Sequence, residues 1–321
     1  MAVYTEVSDE ELAAFLAAYA IGPVLSYKGI AEGVENTNYY LQTGQGSYIL
    51  TLYEKRVREE ELPFFLGLME HLAQHGIDCP LPVRDRGGNP LGRLAGRPAV
   101  IVSFLTGVSV RRPNARHCQA VGAALARLHG AGADFAMRRP NALSVGSWPG
   151  LFAAAEADAD RVAPGLAGRT RRELDHLEGA WPKDLPTGTI HADLFTDNVL
   201  FLGERVSGLI DFYFACTDFL AYDLAVCLNA WCFEPDGAFN HTKGRAMVAG
   251  YESVRRLQDD EVAALPILCR GAALRFMLTR LVDWLNVPPG ALVKPKDPLE
   301  FDRRLAFHRH VTSAAEYGLA R

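Results

Sequence analysis

Apolar residues first recur at helical spacing. Leu12, Phe15, Leu16 and Tyr19 form one stripe, opened by the reciprocal capping pair Ser8 and Glu11 and closed by Gly22-Pro23. The pattern then shifts to β-rich runs. Residues 37–43 and 47–53, joined by Gly44-Gln45-Gly46, predict an antiparallel hairpin, with an apparent first strand before it. Pro63 opens a second helix, with Phe64, Phe65, Leu68, Met69 and Leu72 on one face and Gly76 at its end. Residues 83–86, the turn Gly87-Gly88-Asn89-Pro90, and residues 98–105 predict further strands. From about Pro113 the spacing becomes helical over 114–130, and again over 148–160, 168–180, 220–232, 240–257, 259–286 and 301–317. Short strands interrupt it over 187–212. The expectation is an α+β, bilobal chain. Residues 1–106 form an antiparallel-sheet lobe with one long helix; residues 107–321 form a larger, mostly helical lobe.

Composition narrows the function classes. The 321 residues are 49% hydrophobic and 22% charged, ordinary for a globular chain with a substantial core. A net charge of −5 without a Lys/Arg-rich run argues against nucleic acid as a partner. No apolar stretch reads as long enough to span a bilayer, so no membrane association is expected. Glu6, Asp9, Glu10 and Glu11 are wrong for a secretory signal, and a cytoplasmic location is expected. Six cysteines without a C-x-x-C pair predict buried free thiols. Oligomeric state is not legible.

The chemistry concentrates in Ile190-His191-Ala192-Asp193-Leu194-Phe195-Thr196-Asp197-Asn198, followed by an apolar run and Ile210-Asp211-Phe212. Asp193 is placed to accept a proton from a hydroxyl, while Asn198 and Asp211 are hard oxygen donors suited to Mg²⁺. A hairpin of residues 199–202 and 206–210 across Gly203-Glu204-Arg205 would bring Asp211 back beside Asn198. His191 joins Asp193 in the candidate catalytic pair, as a buried group tied to the loop or to the Asp211 turn. Singly, each residue has an ordinary reading: a turn aspartate, a loop asparagine, a core histidine. Jointly they match the roles in the protein-kinase pattern H-R-D-x-x-x-x-N then D-F-G, with Ala192 in place of the arginine and Tyr213 in place of the glycine.

The nucleotide side is less sharply drawn. Lys28-Gly29 through Gly33 to Asn36 and Asn38 could let backbone and amides approach phosphates, though a two-glycine turn commonly does nothing chemical. After the run 99–102, backbone at Ser103 and Leu105 could meet an adenine edge, or simply end a strand. Thr51 stands where kinases carry a lysine; Lys55, Arg56 or Lys28 could substitute.

These segments, with Ala221-Tyr222-Asp223-Leu224-Ala225, resemble the aminoglycoside phosphotransferase/choline kinase-like family of small-molecule kinases. Gly33-Val34-Glu35-Asn36-Thr37-Asn38-Tyr39, Tyr48 through Glu54, Glu61-Leu62-Pro63-Phe64-Phe65, Asp211-Phe212-Tyr213-Phe214-Ala215-Cys216 and Arg270 through Phe276 are most similar to its branch that phosphorylates L-homoserine. The resemblance implies a protein-kinase-like fold, ATP and Mg²⁺, and a small hydroxylated amino acid, L-homoserine, phosphorylated on its side-chain oxygen for threonine biosynthesis. It implies Asp193 as base, Asn198 and Asp211 as Mg²⁺ ligands, Asp223 as a brace for the loop, and Thr51 as a branch feature. Alternatives are a kinase of another hydroxylated metabolite (choline, a sugar, an aminoglycoside) and a nucleotide-binding pseudokinase. Residues 261–321 carry nine Lys/Arg against six Asp/Glu, which argues against a polycationic acceptor. Arg275 and Arg280 are the candidates to grip a substrate carboxylate.

Overall fold

The computed structural model describes residues 5–30, 36–54, 58–287 and 295–319. Its first part is an antiparallel sheet of strand order β1-β2-β3-β5-β4: β1 (Val24–Gly29), β2 (Thr37–Thr43), β3 (Gly46–Leu52), β4 (Gly92–Leu94) and β5 (Arg97–Ser103). β2 and β3 form the expected hairpin, Thr37 opposite Leu52 and Thr43 opposite Gly46. The two expected helices flank the sheet. In α1 (Asp9–Leu16) both hydrogen bonds of the Ser8–Glu11 capping box are made, and α2 (Leu62–Gln74) starts with Pro63 in its first turn. Alternation along β5 sends Ala99 and Ile101 to the core built with Leu12 and Leu16 of α1. Val100 and Val102 face the other way, into the core shared with Phe65 and Leu72 of α2.

The second part is mostly helical: α3 (Ala115–Ala131), α4 (Trp148–Ala153), α5 (Glu156–Val162), α6 (Leu166–Ala180), α7 (Leu220–Trp231), α8 (His241–Glu252), α9 (Asp259–Leu285) and α10 (Leu299–His308). Between α6 and α7 lie β6 (Thr187–Ile190), the hairpin β7 (Val199–Leu202) and β8 (Arg205–Leu209), and β9 (Cys216–Phe219), which pairs with β6. An antiparallel sheet with one long helix followed by a larger helical part is the α+β arrangement expected. α3 and α8 approach closely because a side chain at Gly122 or Gly250 would collide with backbone of the other helix.

Four expectations are corrected. Residues 83–86 form no strand: Val83 N–H bonds to the Ile101 carbonyl (2.8 Å), but Asp85 N–H turns to the Asn89 carbonyl (2.8 Å) and Arg86 N–H to the Ala18 carbonyl (2.8 Å), and the short β4 pairs with β5 instead. The helical run 148–160 breaks at Ala155, whose φ of −125° leaves the helical region. The run 301–317 stops at His308; Ser313 then caps a separate helical turn by accepting from Ala315 N–H (3.2 Å). Finally, α9 is 27 residues long and by length and composition is apolar enough to cross a membrane. It is instead a core helix: Leu268, Cys269, Leu274, Met277, Leu278 and Leu281 are buried inside the protein. All six cysteines are free and buried.

Asn229 ties the helices together. Its Nδ2 donates to the Ala225 carbonyl (3.0 Å) and to the Cys269 carbonyl of α9 (2.9 Å), so Oδ1 must be the acceptor facing His308 Nε2 (3.1 Å). His308 Nδ1 then accepts from the Tyr317 hydroxyl (2.8 Å). Burial, with Arg304 and Arg270 adding, lowers the His308 pKa to about 3. Between an unfolded value of about 6.5 and that folded value the unfolded chain binds the extra proton, so this contribution is complete above pH 6.5 and is lost as pH falls toward 3. Urea unfolding should show stability about 2 kcal/mol lower at pH 5 than at pH 7 from this group alone. His308→Gln should flatten that dependence; an unchanged slope would mean that His308 is not held neutral.

Candidate functional site

The loop between β6 and β7 is shaped by bonds from several elements. Phe195 N–H donates to the Asp193 carbonyl (2.8 Å) and Asn198 N–H to the Phe195 carbonyl (3.0 Å), making a compact turn. Ala192 sits in the left-handed region at φ 62°, which costs a non-glycine residue roughly 1 kcal/mol. Asp223, fully buried in the first turn of α7, compensates. Its Oδ2 accepts from His191 N–H (2.7 Å) and its Oδ1 from Ala192 N–H (2.8 Å). His129 on α3 donates from Nε2 to the same carboxylate (3.1 Å). Burial opposes ionisation of Asp223, yet His129 and the His191 amide hold its pKa below the ordinary range.

His191 is wholly buried, and burial lowers its pKa despite the neighbouring Asp223 carboxylate. Its Nε2 donates to the Ile210 carbonyl (3.0 Å), which leaves Nδ1 to accept from Asp193 N–H (3.3 Å). Both ring nitrogens are thereby committed to backbone. Of the expected catalytic pair, His191 joins the loop to the Asp211 turn, and Asp193 is the member with an open edge, its side chain 19% exposed.

Asn198 and Asp211 meet as the hairpin required. Ile210 N–H donates to the Asn198 carbonyl (3.0 Å), and Asp211 follows in a left-handed conformation at φ 65°. Asn198 Nδ2 donates to the Asp193 carbonyl (2.8 Å) and to Asp193 Oδ2 (3.2 Å). That fixes the amide, so Oδ1 points away from Asp193 as an acceptor. A neutral amide oxygen and a carboxylate from adjacent backbone form a donor set that fits Mg²⁺. Burial pushes the Asp193 pKa up to about 8; the Arg275 guanidinium, 3.7 Å from Oδ1, pulls against that, and Asp211 adds to it.

Arg275 differs from its expected role. It is buried, donates from Nη1 to the Ala192 carbonyl (3.0 Å), and stacks on Phe276 (3.9 Å) and Phe214 (5.2 Å). It braces the catalytic loop and lies outside the nearby cavity. Arg280 does line that cavity of about 1050 Å³, together with Phe195, Asp197, Trp231, Lys296 and Glu300. Arg280 pairs with Glu300 (2.6 Å), and Lys296 with Asp197 on the loop (3.4 Å). Trp231 is core and cavity wall at once, donating to the Leu194 carbonyl (2.8 Å), whereas Trp284 is exposed.

On the sheet side, Thr51 donates to Asn38 Oδ1 (2.8 Å) across the β2–β3 pair. Asn36 Oδ1 accepts from Glu54 N–H (3.4 Å), and Gly29 ends β1 opposite Tyr39. Lys28 is exposed on β1, while Gly33, Lys55 and Arg56 lie outside the described residues. Glu61, before α2, pairs with Arg139 (2.9 Å) and Arg58 (3.3 Å). Ser103 N–H is already given to the Leu81 carbonyl (2.9 Å), so a nucleotide contact there is left to its carbonyl and to Leu105. Tyr213 bonds to the Tyr53 hydroxyl (2.9 Å) and meets Phe65 edge-on, joining the hairpin end to the sheet and α2. His129, Arg139 and Lys296 escaped sequence reasoning, because each lies far along the chain from its partner.

The sequence profile described as the phosphotransferase enzyme family matches residues 26–257. Homoserine kinase of Methylobacterium nodulans is 76% identical over 318 residues, 99% of each chain. That of Xanthobacter autotrophicus is 66% identical over 320 residues, covering 100% of both. Among solved structures, the amicoumacin kinase hAmiN in complex with AMP-PNP, Ca²⁺ and Ami superposes with a TM-score of 0.68 at 18% identity, over 94% of this chain and 92% of its own. At that identity the likeness is one of fold.

Replacing one carboxylate oxygen of Asp223 with an amide puts donor against donor. Asp223→Asn should cost about 3–5 kcal/mol in urea unfolding, the range for breaking a buried charged network. A loss below about 1 kcal/mol would remove Asp223 as the anchor of the loop.

Proposed function

The chain belongs to the phosphotransferase enzyme family, in its homoserine kinase branch, and on that footing we propose how its residues divide the work. The reaction is ATP-dependent phosphorylation of the side-chain hydroxyl of L-homoserine to O-phospho-L-homoserine, a step of threonine biosynthesis. The observation that carries the assignment of roles is the Asp193–Asn198–Asp211 constellation. One carboxylate has an open edge, and the amide beside it is pinned so that its oxygen faces away from Asp193, while the backbone of Asn198 meets the residue before Asp211.

Asp193 orients the homoserine hydroxyl and takes its proton as the oxygen bonds to the γ-phosphorus and the bond to the β-phosphate oxygen breaks. Phosphoryl transfer passes through a loose transition state, so this carboxylate needs position more than basicity. Asn198 Oδ1 and an Asp211 carboxylate oxygen would hold Mg²⁺, which would supply neutralisation of charge on the phosphates. Nucleotide lies between the sheet and the loop, against Gly29, Asn36 and Asn38, with the backbone after β5 at the adenine. Thr51 and Asn38 satisfy one another where a lysine is expected, so the phosphates meet polar groups on that strand and no cation. Homoserine occupies the cavity beside the loop. Arg280 and Lys296 face its carboxylate, and Asp197 or Glu300 its ammonium. A cytoplasmic location accords with six free thiols.

An ADP-release assay with homoserine, choline and kanamycin should give turnover with homoserine alone. Asp193→Asn should lower kcat by about 10²–10⁴, with nucleotide affinity little changed. Near-normal turnover would remove Asp193 as base. Asp211→Ala should move the Mg²⁺ titration to higher concentration, and an unshifted curve would refute that ligand. Arg280→Met should raise KM for homoserine more than it lowers kcat.

A further inference from the structure

Three chelating side chains stand together at the C-terminal end of α2. His71 and His75 are one turn apart on the same face, and Asp134 reaches them from the turn after α3. Asp134 Oδ1 is 3.1 Å from His71 Nε2, and Asp134 Oδ2 is 3.8 Å from His75 Nε2. All three ligand atoms lie within 4.8 Å of one another. A tetrahedral Zn²⁺ with bonds of about 2.0–2.2 Å holds its ligand atoms roughly 3.3 Å apart. The observed separations bracket that value, so only a small rearrangement closes the triad on a metal.

The surroundings favour the same reading. His75 Nδ1 donates to the His71 carbonyl (2.8 Å), which leaves Nε2 as the lone pair facing Asp134. Metal-bound histidines are commonly oriented by such a bond from the other ring nitrogen. The His71 ring packs beside Phe135, with centroids 5.2 Å apart. His71 Nε2 also donates to the Ala131 carbonyl (2.9 Å). Binding exchanges that proton for the metal, so the affinity is that of a three-ligand site and falls short of a closed four-ligand centre. Asp134 is 73% and His75 42% exposed, which leaves a path for the ion and room for a water in the fourth position.

We propose that His71, His75 and Asp134 bind one divalent transition metal of the Zn²⁺ class and clip α2 to the turn after α3. Two imidazoles select such ions over Mg²⁺ and Ca²⁺, which prefer all-oxygen sites. α2 carries Phe65, which meets Tyr213 next to the phosphotransfer hairpin. The clip therefore holds the far end of the helix that contacts the site, without touching nucleotide or acceptor.

The test uses the full chain stripped with a chelator, titrated with Zn²⁺ by calorimetry and with Co²⁺ by visible absorption. One equivalent should bind, Co²⁺ should develop the absorption of a tetrahedral N/O site, and Tm should rise with Zn²⁺ concentration. His75→Ala and Asp134→Ala should each weaken Zn²⁺ at least tenfold while the metal-free protein keeps its Tm and its homoserine turnover. Saturable binding unaltered in both variants, or no binding and no Tm rise with the unmodified chain, overturns the proposal.

Discussion

A single buried carboxylate organises the phosphotransfer loop. Asp223 receives two consecutive backbone amides, His191 and Ala192, and a histidine from a separate helix. With both amides held on that carboxylate, Ala192 passes through the left-handed region, so the chain reverses directly after the anchored amides and Asp193 stands on that turn. Arg275 secures the other side of the same peptide by donating to the Ala192 carbonyl. His191 then carries the constraint to the Asp211 turn through the Ile210 carbonyl. The proposed base and both proposed metal ligands thus hang from one hydrogen-bonded frame. Preorganisation of this kind lets a site act by position.

The sheet is coupled to that frame by aromatic and neutral polar contacts. Tyr213 bonds to Tyr53 and packs against Phe65, with no glycine hinge at that place. Thr51 and Asn38 bond to one another where a protein kinase would carry a lysine. Glu61, which could have partnered such a lysine, pairs with Arg139 and Arg58. The hairpin end is therefore fixed to the sheet by Tyr213, consistent with a kinase that acts on a small free substrate and has no activation segment to rearrange.

Legibility in the sequence tracked how local each interaction is. The Asp193–Asn198 spacing, the hairpin that returns Asp211 and the Ser8–Glu11 capping box are short-range, and each was readable. Asp223 was readable only through resemblance, since its partners His191 and His129 lie 32 and 94 residues away. Apolar periodicity placed the helices but could not see the two-residue break at Ala154-Ala155 or the early end at His308. Residues 83–86 looked like a strand because their side chains fit one; the bonds from Asp85 to Asn89 and from Arg86 to Ala18 decided otherwise. Arg275 illustrates the same limit. Its place on a helix was plain, but the Phe276–Phe214 stack that turns it toward the loop depends on tertiary packing.

The central claim is that this frame presents Asp193 to the acceptor before any substrate arrives. The most direct measurement is a crystal structure of the chain with AMP-PNP, Mg²⁺ and L-homoserine. The homoserine hydroxyl should lie about 2.6–3.2 Å from an Asp193 carboxylate oxygen, with metal on Asn198 Oδ1 and Asp211, and Ala192 still left-handed with both amides on Asp223. A hydroxyl directed to another side chain, or a loop rebuilt with Asp223 released, would contradict it.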